Sequence, residues 1–425
     1  MRTSAAIGCA WMLVACGAPP SGEAVANDAG EAHDVAALPV GDASTGPKAS
    51  NLPECGAQRI VHISAGNGGL AWFTQVWPVP AVIASFDPSD AYDDPAKAPS
   101  APGATPQHPL YAREIAGRVV TMTGTGTHPM PTAFVAGPNE THTLTPNLTQ
   151  VGGVDVVAVA AAVQTTALHP AQTVIALRPP VAYVAQNGQP APLVAEDSSA
   201  AIAALAQANV VSSATAQDLA PSDATVATWF DATNAPNDLL ALAEDLAFAA
   251  NAFRDNVAST ILVGALRDDP HGAFDDSSVT YHADALASIL HHFYAALAAN
   301  DEPACSHDGH VLSLADNVVL VVTGDTPKDP FNRYGWPDGT PGASNIVYVR
   351  SNGWLTPGWF GDLAAPYSWK GFDPASGAPS VGATLAADQS AEALGLLYAI
   401  TRGNAALVAV VSSAPYQAAV ASSSP

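Results

Sequence analysis

Four polar segments of this chain carry side chains that could bind a divalent metal or attack an ester. Each segment follows an apolar run, and they cover residues 64–70, 123–129, 267–272 and 323–328. Loops that follow parallel strands meet at the carboxyl edge of a sheet, so we expect these side chains to converge there. Carboxylates and an imidazole at that edge could hold a divalent cation. A hydroxyl such as that of Thr127 could act as a nucleophile or position a phosphate.

The apolar runs before these segments predict the strands that position them. Runs typical of buried strands cover residues 60–64, 118–123, 154–162, 173–176, 181–185, 260–266, 318–323 and 346–349. They alternate with helical patterns over residues 198–207, 236–257, 281–299 and 390–401. Alternation of strands and helices favours a mostly parallel sheet that is covered on both faces. The sequence therefore predicts an α/β fold.

Composition limits the classes of partner and the number of domains. The chain has 425 residues, 14 Lys and Arg against 38 Asp and Glu, and a net charge of −24. Such a field repels nucleic acid, so we expect no nucleic-acid partner. Apolar residues make up 48% of the chain and charged residues only 12%, which is typical of a folded protein. One large domain with long loops and two domains both fit this length.

The first sixteen residues resemble a bacterial lipoprotein signal. Arg2 supplies a positive start, residues 5–14 form an apolar run, and residues 13–16 (Leu-Val-Ala-Cys) resemble a lipobox. The run is far shorter than the roughly 20 residues that a bilayer span needs, so it indicates an export signal. Diacylation of Cys16 would then anchor the mature protein to a membrane. An ordinary cleaved secretory signal is the alternative.

This signal predicts the organisation and the location of the chain. We expect a signal peptide over residues 1–15, a flexible tether rich in Gly, Ala, Pro, Ser and Asp over residues 16–54, and a folded domain over residues 55–425. Gly17 follows Cys16 where an inner-membrane retention signal would place Asp. The expected location is therefore the outer membrane of a bacterial envelope, where another envelope protein or a glycan could be the partner.

Two cysteines remain once the signal is removed and Cys16 is acylated. They are Cys55 and Cys305, each of which precedes a predicted strand. Two thiols in an exported protein predict one disulfide. If the two following strands are parallel neighbours, their starts lie close together. Two unpaired buried thiols are the alternative.

Several other groups have ordinary structural interpretations. His282, His291 and His292 lie in one helical pattern, where adjacent side chains point about 100° apart. The segment of residues 307–310 (His-Asp-Gly-His) could chelate a metal but is typical of a solvated turn. Three tryptophans at positions 336, 354 and 359 could line a groove for a sugar or peptide, although packing under a long loop is the simpler interpretation.

Five short motifs, taken in order, resemble one protein family. They occupy residues 65–70, 108–110, 127–129, 268–271 and, as one late pair, 324–327 with 337–340. The family counterparts are a Gly-Gly-Asn-Asp-Gly-Leu-Asn turn, His-Pro-Ala-Leu, Ser-His-Phe, Phe-Asp-Thr-His, and Glu-Phe-Gly-Arg with Asp-His-Gly-Thr. The chain thereby resembles a divergent member of a large bacterial exported family of unknown function within the alkaline phosphatase/sulfatase-like superfamily.

The resemblance implies a three-layer α/β/α sandwich and a reduced metal site. It implies Thr127 as nucleophile, with His128 beside it. The implied metal ligands are Asp269, His271, Asp325 and Asp338. The chain departs from the family at Gly68, where an acidic ligand is expected, and at Asp338, where the family has His. A two-metal site needs roughly six ligands, so four could hold one ion at most, either zinc, manganese or calcium.

Two functions follow from this reading. The favoured one is a non-catalytic envelope lipoprotein that uses the degenerate fold for binding, since a fold does not fix a function. The alternative is a metal-dependent phosphatase- or sulfatase-like hydrolase with a reduced metal site.

Overall fold

One mixed sheet organises the part of the protein that the structure describes. The computed structural model describes residues 59–66, 68–70, 72–73, 132–136, 150–151, 154–155, 171–179, 192–230, 237–266, 276–307, 310–324, 345–350, 358–360, 362–364 and 368–370. All of these residues belong to one structural unit.

The described strands fall into one large sheet and three two-stranded ladders. In chain order they are β1 (Arg59–Ala65), β2 (Thr132–Ala136), β3 (Gln150–Val151), β4 (Val154–Asp155), β5 (Gln172–Leu177), β6 (Leu193–Ala195), β7 (Ala258–Ala265), β8 (Asp301–His307), β9 (His310–Ser313), β10 (Val318–Gly324), β11 (Asn345–Arg350), β12 (Gly358–Phe360), β13 (Asp362–Ala364) and β14 (Ser368–Lys370). The large sheet has the order β12-β2-β11-β10-β1-β7-β5-β6, and the ladders are β3-β4, β8-β9 and β13-β14.

Strand direction confirms the predicted mostly parallel sheet. The strands β10, β1, β7, β5 and β6 are parallel neighbours. Only β11 opposes its neighbours among the described strands of this sheet, because it pairs antiparallel with both β10 and β2. The central strands β1, β7 and β10 are buried at every residue. Burial on both faces explains why their sequences are near-continuous apolar runs without strict alternation.

Two of the described helices are long, and the others are shorter. Their bounds are α1 (Ser198–Gln207), α2 (Ser213–Leu219), α3 (Asp223–Trp229), α4 (Asn237–Arg254), α5 (Asp276–Ala298) and α6 (Leu314–Asn317). The side chains of Asp197, Ser212 and Ser222 cap the first three helices by accepting a bond from a backbone N–H in the first turn. None of the described helices combines the length and apolar composition that crossing a bilayer requires.

Side chains alternate across the central strands and divide the sheet into two different faces. Val61 and Ile63 of β1 belong to a large apolar cluster with Phe248 and Phe253 of α4 and Phe293 of α5. The described helices therefore cover this face, which we call the helix face. The opposite face is buried as well, yet it carries polar side chains of the same strands. These buried polar residues are His62, Ser64, Thr260 and Thr323.

The sequence located the main elements within a few residues. The predicted strands at residues 60–64, 173–176, 260–266, 318–323 and 346–349 are confirmed, as are the helices at residues 198–207, 236–257 and 281–299. The predicted strands at 118–123 and 181–185 and the helix at 390–401 lie outside the described residues. Of the predicted strand at 154–162, the structure describes residues 154–155, which pair with β3 in a separate ladder.

Candidate functional site

The carboxyl ends of three central strands lie at the same level of the sheet. Ala65, the last residue of β1, is in register with Gly324 at the end of β10 and with Ala265 at the end of β7. Adjacent strands are about 4.8 Å apart, so the last residues of these three strands lie side by side. Three of the four polar segments expected at this edge therefore start there, as the parallel topology requires.

The predicted catalytic and metal-binding residues follow or lie beyond these strand ends. Asp325 comes one residue after Gly324, and Asp269 and His271 come a few residues after Ala265. These three residues lie outside the described residues, as do Thr127, His128 and Asp338, and also Cys16 and Cys55. Cys305 lies in β8. The strands β1 and β10 are parallel neighbours, as the disulfide prediction assumed, whereas β9 and α6 separate Cys305 from β10 in the sequence, and the disulfide stays a prediction.

A tight glycine turn after β1 forms the centre of this edge. The backbone N–H of Gly66 donates to the carbonyl of Ala265 at 3.2 Å, and that of Gly69 donates back to Gly66 at 2.8 Å. Gly68 has a φ of 84°, a left-handed conformation that glycine adopts without cost. The position at which the resemblance implies an acidic ligand is therefore a backbone position suited to glycine.

Both neighbouring strand ends pack against this turn without room for a side chain. A Cβ on Gly69 would overlap the carbonyl oxygen of Leu266, just after β7. A Cβ on Gly324, at the end of β10, would come within 2.6 Å of the Cβ of Leu70. The turn is thus packed closely between the ends of β7 and β10.

Two further residues next to this edge have left-handed backbones although they are not glycine. Leu266 follows β7 with a φ of 51°, and Arg178 follows β5 with a φ of 46°. Such a backbone conformation costs a non-glycine residue of the order of 1–3 kcal/mol and is frequent near functional sites. The Arg178 side chain holds its turn in place, since Nε donates to the carbonyl of Gly264 at 3.2 Å and the guanidinium forms an ion pair with Asp245 of α4.

An aromatic stack joins the glycine turn to α5. The Trp72 ring lies parallel to the His282 ring with centroids 3.9 Å apart, and Tyr281 meets His282 edge-on. The backbone N–H of Trp72 donates to the carbonyl of Gly69 at 3.1 Å, so the stack is tied directly to the turn. The structure therefore gives His282 a definite place beside the carboxyl edge, which helical periodicity alone did not indicate.

A buried histidine on the opposite face of the sheet was missed by sequence reasoning. His62 is 4% exposed, and its Nε2 lies 2.8 Å from the hydroxyl oxygen of Thr323. Burial lowers the pKa of His62 to about 4, so the imidazole is neutral at physiological pH. It lies inside an apolar run, where the surrounding residues indicated only a buried strand.

The amino edge of the sheet carries a buried ion pair. Arg59 at the start of β1 pairs with Glu302 of β8, and both side chains are at most 1% exposed. The Arg59 guanidinium also donates to the carbonyl of Ala258 at 3.1 Å and to Asn256 Oδ1 at 3.3 Å, while Asn317 donates to Glu302. This network lies at the end of β1 remote from the glycine turn, and its bonds join structural elements.

Within the described ranges, no group of three or more His, Cys, Asp or Glu side chains could hold a metal ion. Comparison of the chain with protein-family models, curated proteins and solved structures finds no significant match.

Proposed function

We propose that this chain is an exported envelope lipoprotein whose α/β domain binds a ligand at the carboxyl edge of its sheet and catalyses no reaction on it. The observation that supports this proposal best is the common level of Ala65, Ala265 and Gly324. Ligands of open α/β sheets bind outside the carboxyl ends of the strands. The sequence that follows each of these strands is polar, and the turn after β1 is packed closely against Leu266.

Binding is favoured over catalysis by the chemistry of the edge. A two-metal phosphoryl-transfer site needs roughly six ligands, and the chain offers four candidates. Gly68 stands where the resemblance implies a further carboxylate, and its left-handed backbone belongs to a turn packed against Leu266. Loss of ligands normally removes metal affinity, and metal-dependent catalysis is lost with it.

The proposal includes the specific fold that the resemblance implies. An alkaline-phosphatase-like three-layer sandwich requires helices on both faces of the sheet. Support comes from α4 and α5 on the helix face and from the burial of His62, Ser64 and Thr323 on the opposite face. Buried side chains on both faces of central strands are typical of doubly covered parallel sheets.

The proposed location in the envelope determines which classes of partner the domain can meet. In this proposal Cys16 carries the lipid, residues 16–54 tether the domain to the outer membrane, and another envelope protein or a glycan binds at the carboxyl edge. A net charge of −24 disfavours polyanionic ligands, nucleic acid among them.

A metal-dependent phosphatase- or sulfatase-like hydrolase is the second candidate. It is favoured by the adjacency of the ends of β7 and β10 to the end of β1, since Asp269, His271 and Asp325 follow those strands. In that case these residues and Asp338 would hold one zinc, manganese or calcium ion. Thr127 would be the nucleophile, assisted by His128.

Photo-crosslinking in intact cells tests the proposed binding edge. A photoreactive amino acid replaces Asp268 in the segment after β7, and in a matched control it replaces Ala203, an exposed residue of α1. We expect a covalent adduct from position 268 and none from position 203, with mass spectrometry distinguishing a protein from a glycan. Absence of an adduct at 268, or equal adducts at both positions, would refute the proposed binding edge.

Cell fractionation tests the lipoprotein part separately. Replacing Cys16 by Ala removes the acylation site and should move the protein from the membrane fraction to the soluble fraction. A Cys16→Ala variant that stays in the membrane fraction would reject the lipid anchor without bearing on the carboxyl edge.

A further inference from the structure

Arg178 joins the carboxyl ends of three neighbouring parallel strands. It directly follows β5, and its backbone N–H donates to the carbonyl of Ala195, the last residue of β6, at 2.8 Å. Its Nε donates to the carbonyl of Gly264, near the end of β7, at 3.2 Å. Its Nη1 donates to the carbonyl of Glu196, just after β6, at 3.3 Å. From the end of β5, this one residue therefore holds backbone groups at the ends of both β6 and β7.

The same guanidinium is also bound to α4. Its Nη2 donates to the carbonyl of Ala241 at 3.4 Å and forms the ion pair with Asp245. The Asp245 side chain is 1% exposed, whereas the Arg178 side chain is 22% exposed. The planar guanidinium makes these contacts in several fixed directions, which the compact ammonium group of a lysine cannot do. The contacts therefore depend on the shape of the arginine side chain as well as on its charge.

The strand order of the large sheet reverses between β7 and β5. β7 lies between β1 and β5 in this sheet. Among the described strands of the sheet, the one that follows β7 in the chain is β10, on the β1 side, whereas β6 follows β5 on the other side. The chain thus proceeds in opposite directions from these two neighbours. Ligands of open α/β sheets bind at the carboxyl ends of the strands where the order reverses in this way.

The residues that follow these two strands both have left-handed backbones. Arg178 after β5 has a φ of 46°, and Leu266 after β7 has a φ of 51°. Such backbones are unfavourable for residues other than glycine and persist only where surrounding contacts hold them. The bonds of Arg178 hold the β5 side, and the close packing of Gly69 against the Leu266 carbonyl holds the β7 side. The protein therefore maintains unfavourable conformations on both sides of the strand reversal.

We propose that the ligand binds in the crevice between the ends of β5 and β7, and that Arg178 is the residue that positions the two sides of this crevice. This inference rests on the proposed binding function and specifies where on the carboxyl edge binding occurs. Arg178 acts through the strand ends that it holds. These bonds join β5, β6, β7 and α4, so their loss should loosen the crevice while β1 and β10 keep their pairing.

Amide hydrogen exchange of the full chain tests the positioning role. Arg178→Lys keeps the charge but loses the guanidinium contacts, and Arg178→Gln loses both. Arg254→Lys is the matched control, because Arg254 ends α4 and donates there to Asp255 and to the carbonyl of Asp218. Exchange at the ends of β5 and β7 should rise about tenfold or more in both Arg178 variants. It should stay at the wild-type rate in β10, and throughout these strands in Arg254→Lys.

Photo-crosslinking in intact cells tests whether this positioning matters for binding. A photoreactive amino acid replaces Pro179 after β5 or Asp268 after β7, in wild-type and variant backgrounds. We expect adducts from both positions in the wild type, and yields lower by about fivefold or more in the Arg178 variants. Arg254→Lys should keep the wild-type yield. So should Leu297→Ala, which removes a buried side chain of α5 and controls for lower stability.

The outcomes separate this inference from the proposed binding function. Wild-type adducts that persist in both Arg178 variants, or an equal loss in Leu297→Ala, would overturn the role of Arg178 and leave the binding edge standing. An adduct from position 268 without one from position 179 would overturn the crevice. No wild-type adduct from either position would reject the binding function and the crevice together. Unchanged exchange at the ends of β5 and β7 would overturn the positioning role whatever the adducts show.

Discussion

Gly69 lies so close to the carbonyl oxygen of Leu266 that no side chain fits between the two backbones. This contact joins the turn after β1 to the end of β7, and Leu266 accepts a left-handed φ of 51° beside it. Close packing of backbone atoms therefore defines the carboxyl edge. Replacing Gly69 by Ala adds one methyl group and tests this packing.

Replacing Gly69 by Ala should destabilise the protein and distort the carboxyl edge. The added Cβ overlaps backbone atoms that cannot rotate away, and such overpacking costs about 1–3 kcal/mol. Chemical denaturation measures the free energy of unfolding. Ala203→Ser on the exposed side of α1 serves as the control and should change it by less than about 0.5 kcal/mol. Equal stabilities of Gly69→Ala and wild type would contradict the close packing.

Removing one partner of the buried Arg59–Glu302 pair should cost more stability than removing both charges. Glu302→Gln leaves Arg59 charged among buried groups, and loss of one partner of a buried pair costs about 3–5 kcal/mol. The double variant Arg59→Met/Glu302→Leu should recover part of that loss, because it removes the unpaired charge but also the bonds to Ala258 and Asn317. As a control, Asp255→Asn breaks the partly exposed pair with Arg254 and should cost less than about 1 kcal/mol. Additive losses in the double variant would show that the two charges are not coupled.

Stability should fall in acid because His62 is buried as the neutral imidazole. Its pKa is about 4 in the fold against 6.5 for an ordinary histidine. Between pH 4 and pH 6.5 the unfolded chain therefore binds more protons than the folded protein. The stabilisation from neutral His62 is fully present above pH 6.5 and is lost as the pH falls from there through 4. The full loss is on the order of 3 kcal/mol.

Denaturation curves of the wild type and of His62→Gln measure this contribution. The wild type should lose more free energy of unfolding than the variant between pH 6.5 and pH 4.5, while His291→Gln should follow the wild type. If His62→Gln and wild type have the same pH dependence, the imidazole is not buried as the structure describes.

Cys55 and Cys305 should form a disulfide in protein from the envelope. In the sequence Cys55 precedes Arg59 by four residues and Cys305 follows Glu302 by three, and Arg59 forms an ion pair with Glu302. Mass spectrometry of non-reduced peptides should find the cross-linked pair. Cys305→Ser should lower stability by about 2–5 kcal/mol. Two thiols that alkylate without reduction would disprove the bond.

The sequence predicted the central strands well because burial on both faces leaves a clear apolar signal. β1, β7 and β10 read as strands for that reason, and α1, α4 and α5 have helical periodicity. β8 (Asp301–His307) was missed because it is polar and lies outside the main sheet. The short helices α2 and α3 were missed because seven residues give too few apolar positions to define a period.

The sequence predicted the position of the candidate site at the carboxyl edge of the sheet, but it did not predict the contacts between its side chains. Parallel strands place their following segments at one edge, and the register of Ala65 with Gly324 and Ala265 agrees with it. Contacts across sequence distance were not predictable, since the Trp72–His282 stack and the His62–Thr323 bond depend on the order and register of the strands. No local pattern around His62 distinguishes it from a core position.

Turnover by purified protein tests the central claim most directly, namely that the carboxyl edge binds without catalysis. Wild type and Asp269→Ala are assayed with aryl phosphate and aryl sulfate esters in zinc, manganese and calcium, before and after chelation. The account predicts that both proteins match the protein-free rate under every condition. Metal-dependent hydrolysis by the wild type that chelation and Asp269→Ala both abolish would contradict it and establish the hydrolase.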